Sequence, residues 1–166
     1  MEYTHHYNSA LGVITLSSRG TALTGLWFEG QRYYLATLEH DHQEMDLPVF
    51  DAAMQWLDIY FSGKRPDFTP ALSPEGTVFQ KSVWRLLLTI PYGHTVSYGQ
   101  LAKEIASSRG LASMSAQAVG AAISRNPISI IIPCHRVIAS NGNLTGYAGG
   151  LYRKQQLLNL EQASKR

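Results

Sequence analysis

Apolar and polar positions keep one rhythm in the first third of this chain and another in the rest. The runs YTHHYN, GVITLS and ALTGLWF are rich in β-branched and aromatic residues, and Asn8-Ser9 and Ser18-Arg19-Gly20 separate them with turn chemistry. A short antiparallel meander of three strands is expected. From Pro48 the period lengthens, and Phe50, Ala53, Met54, Leu57, Tyr60 and Phe61 recur at helical spacing with Gly63 as a stop. That helix would cover one face of the sheet.

The segment 63–76, GKRPDFTPALSPEG, is rich in Pro and Gly and breaks the pattern, so a boundary is expected between domains 1–75 and 76–166. Beyond it Phe79, Val83, Leu86, Leu87 and Ile90 share one helical face, ended by Pro91-Tyr92-Gly93. Ser97 with Gln100 three residues on fits a capping box that opens a short helix through Ala106. After a polar loop near 107–113, SAQAVGAAISR predicts a helix of small residues suited to close backbone approach, stopped by Asn126-Pro127. Two short helices around a loop make a helix-turn-helix candidate. The apolar run ISIIIP, a turn at Asn141-Gly142, the glycine-rich TGYAGG and a helix from about Leu151 complete the chain. The class expected is α/β in the α+β sense, a sheet-bearing N-terminal domain followed by a mostly helical one.

Composition sharpens this. A content of 45% hydrophobic and 16% charged residues excludes a disordered chain, and no apolar stretch reaches the roughly 18 to 20 residues that span a bilayer. With no leader pattern at Met1-Glu2-Tyr3, a cytoplasmic protein is expected. Net charge is +2, but residues 1–75 carry four basic groups against ten acidic ones, and residues 76–166 carry ten against Glu104 and Glu161 alone. A basic half points to a polyanionic partner, since Lys and Arg gain affinity for phosphates by releasing counterions. A plain attraction between the two halves is the other explanation.

Cys134 is the one cysteine, which excludes an internal disulfide and a thiolate-rich structural zinc site. It is either a buried filler or a reactive thiol. A free thiol of pKa about 8.5 is only slightly ionised at neutral pH and needs a base to act as a nucleophile. His135 is adjacent, and a tight turn at Cys134-His135-Arg136 after Pro133 would bring imidazole and thiol within one water of each other. Glu161, on the last helix, is placed to orient that imidazole. By spacing alone this Cys, His, Glu relay is a weak signal. His5-His6 and His40-Asp41-His42 are expected to be solvated, with no metal and no cofactor.

PCHRVI, followed by NGNLTGYAGGLYRKQQLLNLE and preceded by NP and by FQKSVWRLL…IPYGHTVSYGQLA, resembles the O6-alkylguanine-DNA alkyltransferases, the methylated-DNA protein-cysteine methyltransferase family, over Val78 to Glu161. The first 75 residues match only in layout, as a variable ribonuclease-H-like N-terminal domain would. The resemblance implies single-use transfer of an alkyl group from O6-methylguanine to Cys134, with O4-methylthymine as a further candidate, on a monomer bound to double-stranded DNA. It implies His135 as base through a water, Glu161 as its anchor, Tyr98 as a hydrogen-bond donor to the guanine ring, and Asn126 as the hinge between recognition helix and cysteine loop.

The damaged base would be flipped out of the duplex. The resemblance assigns the base pocket to Tyr98, Ile123, Val137, Tyr147, Ala148 and Gly149. It assigns the DNA contact to Ser97, Arg109, Ala116, Gln117, Gly120, Ala121, Ser124, Arg125 and Arg136. Gln117 stands where the family carries an arginine that fills the gap in the duplex, and Ala148 stands where some relatives carry Ser. Weaker flipping with intact chemistry is the expectation, with Arg109 a candidate to compensate. Two alternatives remain, a cysteine hydrolase built on the same three residues and a damage-binding regulator that does not turn over.

Overall fold

A computed structural model describes residues 1–164 of the 166, which leaves Lys165 and Arg166 of the basic half outside the described residues. Strands β1 (Glu2–Ser9), β2 (Gly12–Ser18) and β3 (Leu23–Phe28) form the antiparallel meander, with Tyr7 opposite Ile14 and Leu16 opposite Leu26. The sheet has a fourth strand that the pattern did not predict. β4 (His42–Glu44) pairs in parallel with the edge of β1, giving the order β3-β2-β1-β4. Its residues are polar and exposed, so no apolar alternation marks it. His5 and His6 are tied at this edge to Asp46 (3.0 Å) and Glu44 (2.9 Å), where solvated histidines were expected.

Helix α1 (Pro48–Phe61) lays Phe50, Ala53, Leu57 and Tyr60 on the sheet. It ends at Gly63, whose φ of 88° is easy only for glycine and lets its N–H close on the Tyr60 carbonyl. The Pro-rich stretch then adds a bridge to the free edge of β3, Leu23 N–H donating to Ala71 O at 2.8 Å.

The helical part consists of α2 (Val78–Leu87), α3 (Tyr98–Ser108), α4 (Ala116–Ser124) and α5 (Leu151–Ala163). Full capping boxes, Thr77 with Gln80 and Ser97 with Gln100, start α2 and α3, and Ser115 caps α4. α3 runs two residues past the expected end. α2 packs on both helices of the α3–α4 pair, and Trp84 Nε1 donates to Ala122 O at 2.9 Å. The small residues of α4 leave its outer face, Ala116, Gln117, Ala118 and Ala121, exposed.

The run ISIIIP is neither helix nor strand. Pro127 O accepts from Leu26 N–H (2.8 Å) and Ser129 N–H donates to Leu26 O (2.9 Å), so the run docks on β3 before turning back through Ile130 at φ 68°. Ile128, Ile130, Ile131 and Ile132 are all buried there. A 3-10 turn, Cys134–Arg136, follows, and β5 (Val96–Ser97) then pairs with β6 (Val137–Ile138).

Candidate active site and nucleic-acid interface

The 3-10 turn resolves the question posed by adjacent Cys and His. An extended strand would send the two side chains to opposite faces, whereas the turn buries both, Cys134 at 5% exposure and His135 at 0%. Cys134 N–H closes on Ile132 O at 2.8 Å, so Pro133 and the turn fix the thiol in place.

Asn126 braces this loop from the end of α4. Its Nδ2 donates to Ile132 O (2.9 Å), and its Oδ1 accepts from Ile128 N–H (3.0 Å). Burial pushes the Cys134 pKa up, and the nearby Asn126 amide and the charge of Lys154 pull against it.

Glu161 reaches the turn from α5. Its Oε2 accepts from His135 Nε2 at 2.5 Å and from Tyr60 Oη at 2.7 Å, and its Oε1 accepts from Arg136 Nε at 2.8 Å and Gly93 N–H at 3.0 Å. Burial alone would raise this carboxyl's pKa, but the His135 and Arg136 contacts hold it well below the usual carboxylate range. Burial lowers the His135 pKa against the pull of Glu161, so the imidazole is neutral. Nε2–H therefore donates to the carboxylate, and Nδ1, buried and without a hydrogen-bond partner among the described residues, is left as an open acceptor.

Arg136 belongs to this cluster and not to a DNA face. It is buried at 8% exposure with Nε on Glu161 and Nη1 on Ile90 O at 2.8 Å, which corrects its assignment as a DNA contact. Tyr60, Gly93 and Lys154 were missed. Lys154 is fully buried and donates to Val137 O (2.5 Å) and Thr145 O (3.0 Å), clasping the segment before the pocket to β6. Burial lowers its pKa to about 8, opposed by the nearby thiol. A lysine among helix polars carries no sequence signal of that role, and neither does a tyrosine on an amphipathic face.

Beside the thiol lies a cleft of about 550 Å³, lined on one side by Ala116, Gln117, Gly120, Ile123 and Ser124 of α4 and on the other by Thr145, Gly146, Tyr147 and Ala148. Tyr98 sits between these walls, its hydroxyl donating to Thr145 O at 2.9 Å. Tyr147 of the cleft wall meets the His135 ring edge-on with 6.5 Å between centroids, which sets the wall beside the Cys134–His135 turn. Gly149 is required there, since a Cβ on it would come within 2.6 Å of the Tyr147 ring and 3.3 Å of Phe28.

Other expected residues lie elsewhere. Val137 is fully buried in β6 and is not part of the cleft lining, and Ser97 spends its hydroxyl on the Gln100 N–H. Ala121 is on the exposed face of α4. Arg109 lies over the Phe79 ring at 5.4 Å and Arg125 over the Tyr33 ring at 3.8 Å, so neither joins the cleft wall.

The chain is similar to known proteins in sequence and in overall fold. Residues 78–163 match the family model of the 6-O-methylguanine DNA methyltransferase DNA-binding domain, and residues 3–74 match that of the same family's ribonuclease-like domain. The chain belongs to the methylated-DNA–protein-cysteine methyltransferase family. The methyltransferase of that name from Mycobacterium tuberculosis is 44% identical over 161 residues, covering 95% of this chain and 93% of the relative. Its Methanosarcina acetivorans counterpart is 53% identical over 112 residues, 68% of this chain and 69% of the relative. Among solved structures, Mycobacterium tuberculosis OGT in complex with DNA superposes with a TM-score of 0.85 at 41% identity, covering 98% of this chain and 94% of that one. The mixed fold, with a sheet before a helical part, is that of this family.

Proposed function

We propose that this protein repairs alkylated DNA by direct reversal, moving the alkyl group from O6 of guanine to Sγ of Cys134. The observation that carries the reading is the open Nδ1 of a buried, neutral His135 whose Nε2 is anchored on Glu161, on the same turn as the thiol. His135 takes the thiol proton through a bridging water as Sγ attacks the alkyl carbon. The S–C bond forms as the C–O6 bond breaks. The purine leaves with negative charge that Tyr98 stabilises by a hydrogen bond, and the proton ends on the guanine ring. The thioether has no leaving group that water can displace, so each molecule acts once.

The target is inside a duplex, so α4 enters the minor groove and the nucleotide is flipped into the cleft between α4 and the 145–148 segment. The exposed, small-residue face of α4 suits that approach. Ser124, Gly120 and Ala116 line the wall, and Asn126 couples the helix to the cysteine loop. We divide the chain at residue 75, with recognition and chemistry in 76–166. A protein that depends on one free thiol is suited to the reducing cytoplasm.

The test is the mass of the intact protein after incubation with a duplex containing O6-methylguanine. A stoichiometric gain of one methylene mapped to Cys134, absent in Cys134→Ser, is the expected result. An unchanged mass sinks the reading, and repeated turnover of an ester substrate would favour a hydrolase.

A further inference from the structure

The cleft carries charge on one side only. Its α4 wall is neutral, and Arg32 is the one charged residue among the described residues lining it. Arg32 comes from the loop after β3, in the acidic part of the chain. Its backbone is pinned on both sides of the peptide. The Arg32 N–H donates to Ala148 O at 2.9 Å, and the Arg32 carbonyl accepts from Gln31 Nε2 at 3.2 Å. Gln31 is itself buried, with Oε1 accepting from Phe28 N–H at 2.8 Å. The residue is therefore fastened to the pocket wall by its main chain, which leaves the side chain free to act.

The guanidinium of that exposed side chain lies over the Tyr33 ring at 4.9 Å, and Arg125 approaches the same ring at 3.8 Å. Neither arginine has a carboxylate within ion-pair distance among the described residues, whereas Arg19 in the same part of the chain is held by Glu39 and Glu75. Two uncompensated guanidiniums gathered on one aromatic ring repel each other, and an anion between or beside them relieves that repulsion. The anion that reaches the mouth of a base-sized cleft is the backbone of the nucleic acid that supplies the base.

We propose that Arg32 binds a backbone phosphate beside the extruded nucleotide, so that the sheet-bearing part of the chain supplies the cation that α4 lacks. This rests on the reading of the cleft as the pocket for a flipped base. Arg32 is a positioning residue. It holds the duplex where Gln117 can enter the stack and takes no part in the transfer to Cys134.

The experiment compares the wild type with Arg32→Ala and Arg32→Lys. Duplex affinity is measured against salt in a Cys134→Ser background, and single-turnover transfer is measured in the active proteins from a methylated duplex and from free O6-benzylguanine. Arg32→Ala should lower duplex affinity by about three- to tenfold near 0.15 M salt and reduce the slope of log K against log salt by about 0.9, the loss of one phosphate contact. Arg32→Lys should keep most of both, because an ammonium holds a phosphate as a point charge. Free-base transfer should be unchanged in both variants.

An Arg32→Ala protein with wild-type slope and affinity overturns the proposal. So does an Arg32→Lys protein that loses as much as Arg32→Ala, which would mark shape and stacking as the role. A fall in free-base transfer would mark a structural role instead. If the wild type takes no alkyl group from the methylated duplex or from the free base, the reading of Cys134 fails, and that outcome is separate from the effect of Arg32 on duplex affinity and its salt slope.

Discussion

Glu161→Gln isolates what the buried carboxylate does. The change is nearly isosteric and removes one charge from an oxygen pair that serves Tyr60, His135, Arg136 and Gly93. Arg136, at 8% exposure, would keep only Ile90 O at 2.8 Å and an amide oxygen. Breaking one side of a buried pair costs about 3–5 kcal/mol, and at about 2–4 °C per kcal/mol for a domain of this size Tm should fall by roughly 6–20 °C. The chemistry should suffer separately, because the amide cannot stabilise the imidazolium that forms as His135 takes the thiol proton. General base catalysis is worth about 10²–10⁴, so single-turnover transfer should slow by about 100-fold or more.

The acid limb gives a third readout. The folded Glu161 carboxyl titrates well below its unfolded value of about 4.3, so its stabilisation is complete above about pH 5 and is lost as pH falls towards the folded value. The variant's stability should therefore fall less steeply below pH 4.5. Rapid-quench transfer assays and thermal unfolding against pH measure all three. Tyr60→Phe is the graded control, since it deletes one bond of 2.7 Å to a charged acceptor, worth about 1.5–3 kcal/mol, and keeps the charge. A Glu161→Gln rate within threefold of wild type, or a larger rate loss in Tyr60→Phe than in Glu161→Gln, would refute the role given to the carboxylate.

Asn126→Ala leaves Ile132 O and Ile128 N–H buried without partners, so a loss of about 1–3 kcal/mol in urea unfolding is expected, together with slower transfer even from the free base. An unchanged free-base rate would separate the hinge from the thiol. Lys154→Met removes the clasp on Val137 O and Thr145 O and the cation that favours the thiolate, so the thiol should react with iodoacetamide more slowly at pH 7. Equal alkylation rates would exclude that electrostatic role. Gln117→Arg should speed transfer from duplex and leave free-base transfer alone, because a guanidinium stacks in the vacated site better than an amide. An unchanged duplex rate would show that flipping does not depend on this position.

The elements that position the site were legible wherever one short segment carries its own signal. Ser97 and Gln100 announce the start of α3, Asn126-Pro127 the end of α4, and β-branched and aromatic runs between turn residues mark the meander strands, though β3 is buried along its whole length. β4 escaped because three exposed polar residues at a parallel edge have no pattern of their own. Arg136, assigned to the DNA contact with the residues around it, is turned inward by Glu161, a partner 25 residues away that the neighbouring sequence does not mark. Tyr60 and Lys154 are the same case. Their partners lie 101 and 17 residues away, and nothing in the neighbouring sequence distinguishes a core tyrosine from one that holds a carboxylate.

Tyr60 belongs to α1, yet its hydroxyl terminates on the carboxylate that steers His135, and β3 shares two main-chain bonds with the loop leading to Cys134. The nucleophile is therefore not portable. A chimera that grafts residues 76–166 onto an unrelated leading segment would carry every atom of the acceptor turn but would leave the Glu161 carboxylate short of a donor and the 127–129 backbone unpaired. Recombination within such a lineage is constrained to exchange the two parts as a matched set, with position 60 and the edge of β3 as the points where a mismatched pair first fails.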